Sequence, residues 1–194
     1  AITCALVVAS DADPGHGMSE NFPFSPAGAA LLCDWSDDDV GLERVHWVSI
    51  PDDGESFHAT VGLADGRNVL RFSVAESKDE QFAAAAAQAV EECLRESQLG
   101  LDDITAIVAA PAQDGFRKAL ASRLGLSPED ITVAEDQEMH TASLAAAFDQ
   151  TAERTERGGR VLLVAAGAGI IAGTAFIIAP PSASTSFTKC PLPM

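Results

Sequence analysis

The chain has 194 residues and carries 12 Lys and Arg against 29 Asp and Glu, a formal net charge of −17. With 47% hydrophobic and 21% charged residues it reads as a folded chain rather than a disordered one. The charge excludes an unassisted grip on nucleic-acid phosphates or an anionic membrane surface, and it disfavours docking of an acidic carrier protein on this chain itself.

Residues 2–10 (ITCALVVAS) form a short β-branched apolar run, which predicts a strand buried on both faces. A Pro-, Gly- and Asp-rich loop over 11–26 leads to a second strand at 27–35 (AGAALLCDW). Asp37, Asp38 and Asp39 lack the alternating ligand spacing and glycine of a calcium loop, so they read as a solvated acidic loop. Strands follow at 45–50 and 57–63, with Asp65-Gly66 as a turn between alternating segments.

From Ser77 the period changes. Residues 79–97 (DEQFAAAAAQAVEECLRES) predict a helix that Ser77 can cap, with acids in its first turn and Arg95 in its last. Its five-alanine run, 83–87, suits close packing. A buried strand at 104–109, a helix at 114–124 stopped by Gly125, and a short strand at 131–134 come next. A second long helix over 138–157 is stopped by Gly158-Gly159, and strands at 160–165 and 170–178 close the pattern. The order helix, strand, helix, strand, helix, strand, strand predicts a layered α/β fold with a mostly parallel sheet. The front, 2–35, ends in two adjacent strands much as the chain itself does, and so reads as the tail of an earlier copy of the same unit. The chain divides into 1–76, 77–180 and an irregular Ser/Thr/Pro-rich tail, 181–194.

Cys4, Cys33, Cys93 and Cys190 are widely spaced without a CxxC pair, which predicts buried thiols of a reducing, cytoplasmic compartment, with Cys33 and Cys93 inert in the core. The strand-like start shows no signal peptide. The apolar run 161–180 approaches membrane-span length, but Gly167, Gly169 and Gly173 divide it into two strands. His16, His46 and His58 have no Cys or carboxylate at metal-ligand spacing and read as structural or surface residues, so no metal site is expected.

Five strings, in order, carry a family resemblance: ALVVASD, PFSPAGAALL, VGLADGRNVLRFSV, FRKALASRLGL and VLLVAAGAGIIAGTAFI. They resemble the thiolase-fold condensing enzymes, in particular the β-ketoacyl-acyl-carrier-protein synthase III group. The resemblance implies a thiolase-like layered fold, with a complete second half and the last two strands of a first half. It also implies chemistry in which a Cys is acylated by a CoA or carrier thioester while a His and an Asn assist condensation. On this chain the nucleophile position falls before Ala1. The family's His-Gln-Ala-Asn string falls on Ala110-Pro111-Ala112-Gln113, so Ala110 occupies the His position, and the family's Asn falls on His140. The glycine loop survives as Gly167-Ala168-Gly169.

His140 is therefore the candidate catalytic residue, at the start of a long helix, where an imidazole can act as base or donor. The alternative is a helix-start residue bonded to nearby backbone. Gly167, Ala168 and Gly169 are candidates for presenting N–H groups to an acyl oxygen, or they simply form a tight connection between strands. No cofactor is expected, an acyl-CoA or acyl-carrier thioester being a possible substrate. Three functions follow: a non-catalytic subunit completing a condensing or acyl-transfer partner; an acyltransferase fragment whose Cys comes from a separate N-terminal chain, with His140 in the acid–base role; or a binding module that kept the fold. In the first, the partner supplies the missing N-terminal half or is a homologous subunit.

Overall fold

The computed structural model describes residues 4–13, 19–38, 40–50, 57–74, 78–152, 155–156 and 158–179. The chain opens with β1 (Cys4–Asp11), β2 (Ser19–Glu20), β3 (Ala27–Asp34) and β4 (Gly41–Ser49), then a hairpin of β5 (Phe57–Ala64) and β6 (Arg67–Val74). The hairpin turns on Asp65 and Gly66, whose φ values of 50° and 72° are both positive. That is the two-residue turn whose twist matches paired strands. The alternating part follows as α1 (Asp79–Ser97), β7 (Ala106–Ala110), α2 (Asp114–Leu124), β8 (Ile131–Thr132), α3 (Ser143–Ala152), β9 (Arg160–Gly167) and β10 (Ile171–Ile178).

Alanine favours the helix intrinsically, and α1 buries Ala83, Ala85, Ala86, Ala87, Ala89, Val90, Cys93 and Leu94. The small side chains let its axis approach β4, β9 and β10 closely, with α2 alongside. Asp79 and Glu80 complement its N-terminal dipole, and Gln98 closes it in the left-handed region with its N–H on the carbonyls of Arg95 and Leu94. Helix α2 ends at Gly125, also left-handed (φ 71°).

The five-stranded sheet runs β4-β10-β9-β7-β8, with β7, β8 and β9 parallel and β10 antiparallel to both β9 and β4. Strand β4, from within residues 1–76, is thus an edge of this sheet. Alternation along β7 sorts the core. Ile107 and Ala109 join the cluster under α1 and α2, while Val108 joins Ala147, Leu144 and Phe148 of α3 on the other face. The result is the expected α/β layering.

Several expectations need correction. The sequence predicts β1 to be buried on both faces; it instead pairs with β3 alone, and Leu6, Val7 and Val8 are 64%, 54% and 64% exposed. An apolar sequence makes the strand but does not supply its cover. Cys4 and Cys33, both expected to be buried, lie on this ribbon and are exposed, whereas Cys93 is buried as expected. The helix expected over 138–157 is shorter, Ser143–Ala152, because residues 135–142 spend their backbone groups on turns and on Asp11. Strand β8 is only two residues long. Ser77, His16, Asp39, Cys190 and the 181–194 tail lie outside the described residues.

Candidate functional site

In a parallel sheet the loops leaving the C-terminal strand ends gather along one edge. Here those loops are 111–113 after β7, 133–142 after β8 and 168–170 after β9, and parallel registers bring Ala110 beside Ala165 and Ile107 beside Ile131. Gln113 joins the first two loops by donating its side-chain N–H to the carbonyl of Gln137 at 3.0 Å.

The β8–α3 loop is built from its own polar residues. Asp136 accepts the Glu138 N–H at 2.9 Å and the Met139 N–H on its carbonyl at 3.2 Å. The carbonyl of His140 accepts both the N–H (3.1 Å) and the hydroxyl (2.7 Å) of Ser143, which opens α3. His140 therefore sits three residues ahead of the helix, not in its first turn as expected.

The front of the chain reaches this loop. Asp11, the last residue of β1, accepts the Thr141 N–H at 2.7 Å. Its other carboxylate oxygen lies 3.4 Å from His140 Nδ1, with the Asp11 side chain 7% and the His140 side chain 54% exposed. Phe24, from the loop before β3, stacks on the imidazole at 4.1 Å with the ring planes 21° apart. Phe24 meets Phe22 edge-on, and Phe22 meets Phe72 of β6 in the same way. The neighbouring Ser25 N–H bonds the carbonyl of Glu138 at 3.1 Å. One imidazole thus has a carboxylate at its edge, an aromatic ring on its face and solvent beyond. Sequence reasoning singled out His140 as a candidate but not its neighbours Asp11 and Phe24. Only the position of Asp11 at the end of an apolar strand was visible, and nothing local marked Phe24.

The other candidates fall elsewhere. Ala110 ends β7 almost fully buried, with a methyl group that can neither give nor take a proton. Gly167-Ala168-Gly169 forms the β9–β10 turn, with Gly169 at φ 79°. Its hydrogen bond runs from the Ile50 N–H to the carbonyl of Ile170 at 2.9 Å, which holds the turn against the end of β4. A Cβ at Gly167 would meet nothing within 4 Å, so close packing does not explain that glycine.

None of the three described cysteines is placed to serve His140. Cys4 starts β1 and Cys33 pairs with Ala5, so both stand seven or so residues along the ribbon from Asp11, about 20 Å away. Cys93 is on the buried face of α1, and burial pushes its thiol up, away from the thiolate form. His46, expected to be structural, bridges β4 and α1, with Nε2 2.6 Å from Glu92 and Nδ1 3.8 Å from Glu96. Hydrogen bonds from Gln88 and then His46 hold the Glu92 carboxyl below its ordinary range. Among the described residues no group of three or more His, Cys, Asp and Glu could hold a metal ion, and no helix is long and apolar enough to cross a membrane. A cleft of about 430 Å³ lined by Leu101, Ile104, Thr105, Asp130 and Thr155 lies at the N-terminal end of β7, away from His140.

Residues 94–178 match the family model for the C-terminal part of 3-oxoacyl-[acyl-carrier-protein] synthase III. Over 119 residues the chain is 34% identical to β-ketoacyl-[acyl-carrier-protein] synthase III of Acidiphilium cryptum strain JF-5, a stretch covering 59% of this chain and 34% of that protein. Its fold matches 3-oxoacyl-(acyl carrier protein) synthase III of Pseudomonas aeruginosa PAO1 with a TM-score of 0.72 at 19% identity, covering 92% of this chain and 58% of that one. The corresponding Thermus thermophilus enzyme matches with a TM-score of 0.71 at 24% identity, covering 91% and 59%. The chain therefore spans well under two thirds of the proteins it resembles. The fold is thus that of the thiolase-like synthase III structures, and residues 94–178 are similar to the C-terminal part of that family.

Proposed function

We propose that these residues complete a ketoacyl synthase III-like condensing or acyl-transfer protein and do not turn over a thioester by themselves. The observation that carries this reading is the β1–β3 ribbon, which leaves apolar side chains exposed on both faces, including Leu6, Val7, Val8 and Leu32. Apolar surface of this extent marks an interaction site. We assign its cover to a Cys-bearing half, contributed by chain upstream of these residues or by a separate polypeptide; a homologous subunit is the alternative occupant. Ala110 in place of an acid–base residue, and the absence of a described cysteine beside His140, support the same reading. The acyl donor would be an acyl-CoA or acyl-carrier thioester, in cytoplasmic fatty-acid or polyketide synthesis. A net charge of −17 leaves carrier docking to the companion half. The test is incubation of the isolated chain with a mass-tagged acyl-CoA. No cysteine should be stably acylated, and acylation of Cys4, Cys33 or Cys93 at catalytic rates sinks the proposal.

The Asp11–His140–Phe24 arrangement favours a more active role within the assembled protein, with His140 as the acid–base group. His140→Gln should then abolish condensation in the complex while leaving acylation of the companion's cysteine intact. Unchanged condensation refutes this role.

A further inference from the structure

We infer that Asp11 is a positioning residue that fixes the tautomer and orientation of His140. This rests on the acid–base reading of His140. Asp11 is the one buried residue at the end of a strand whose other residues are exposed or half-buried. A carboxylate is seldom buried without partners. Both partners of Asp11 come from one short segment some 130 residues away in sequence. Its Oδ2 is taken by the Thr141 N–H, which locates the carboxylate against the loop, and its Oδ1 faces Nδ1 of the next residue back, His140.

Such a carboxylate accepts from an N–H. In a neutral imidazole the nitrogen that carries the proton is set by the hydrogen bond that nitrogen makes. Asp11 therefore selects the Nδ1–H form and leaves the Nε2 lone pair as the basic site. The Phe24 ring fixes the plane in which that lone pair lies. The distance of 3.4 Å is long for a finished hydrogen bond, as is common before a substrate closes a site. Nε2, the ring nitrogen that does not face Asp11, is then the one able to take a proton from, or return one to, an acyl intermediate delivered at the strand ends. A purely structural Asp11 would hold Thr141 and leave the imidazole proton indifferent.

The experiment is nitrogen-15 NMR of the full chain with labelled histidines, above the histidine titration range, with the His140 signals assigned by their loss in His140→Gln. The Nδ1–H form should dominate at His140. In Asp11→Asn the amide oxygen still accepts from Thr141, but its NH₂ presents a donor to Nδ1. The tautomer ratio should therefore move towards Nε2–H by about fivefold, the scale of one hydrogen bond. A dominant Nε2–H form in the unaltered protein overturns the inference, and so does a ratio unmoved in a folded Asp11→Asn. The first outcome needs no Asp11 variant, so the inference stays testable if Asp11→Asn fails to fold. The acid–base reading fails separately: an Nδ1–H imidazole whose replacement leaves condensation unchanged removes the catalytic role and leaves the Asp11 contact standing.

Discussion

Replacing the apolar stripe on one face of the β1–β3 ribbon should weaken association while barely changing the fold. Leu6 pairs directly with Leu32 across the ribbon, and Val8 lies two residues along on the same face. The three are 64%, 72% and 64% exposed. Changing all three to Thr keeps strand propensity and removes the apolar ends. Full burial of such side chains is worth about 1.5–3 kcal/mol each. With roughly two thirds of that still unrealised in the free chain, covering the three contributes about 3–6 kcal/mol. The triple variant should therefore associate 10²- to 10⁴-fold more weakly, on the order of tenfold per 1.4 kcal/mol. Its own stability should change by about 0.5 kcal/mol or less per site, as for surface positions. Sedimentation and dye binding read the association, with or without a companion half, and urea melts read the fold. A wild-type chain that sediments as a well-folded monomer without binding an apolar dye would refute the reasoning. So would a triple variant that melts several kcal/mol lower, since the stripe would then already be packed.

Phe116→Ala empties the contact between α2 and the α1 cluster, where Phe116 is fully buried. It should cost about 3–5 kcal/mol in urea unfolding, and a loss below about 1 kcal/mol would show that α2 is not anchored there. The folded carboxyl of Glu92 lies below its ordinary value, so its stabilisation is present above the unfolded carboxylate pKa and disappears as pH falls through the folded one. The melting-temperature difference between wild type and Glu92→Gln should accordingly shrink on acidification, and a difference that grows would reverse the sign. Cys4 and Cys33 are exposed and Cys93 is buried with its thiol pushed up. Mass spectrometry after brief iodoacetamide treatment of the native chain should find the first two labelled well before Cys93; equal labelling would contradict that packing.

What the sequence determined is what local chemistry can specify. The alanine run and its flanking charges made α1, Gly125 stopped α2, Asp65-Gly66 turned the β5–β6 hairpin, and the alternation after residue 79 required a parallel sheet between helices. The family resemblance singled out His140 as a candidate and set Ala110 at the family's His position. Tertiary structure decided the rest, because those features depend on which distant segments meet. Strand β4 gained its place beside β10 through long-range register. Strand β8 is too short to show a period. Helix α3 lost its expected first turn when residues 135–142 bonded to Asp11 and to each other. Cys33 emerged exposed because apolar composition describes a strand and not what covers it. Asp11 and Phe24 reach His140 from opposite sides of a long loop and from more than a hundred residues away. No local pattern encodes such a meeting, since only the folded arrangement of β1, β3 and the β8–α3 loop brings the carboxylate, the ring and the imidazole together.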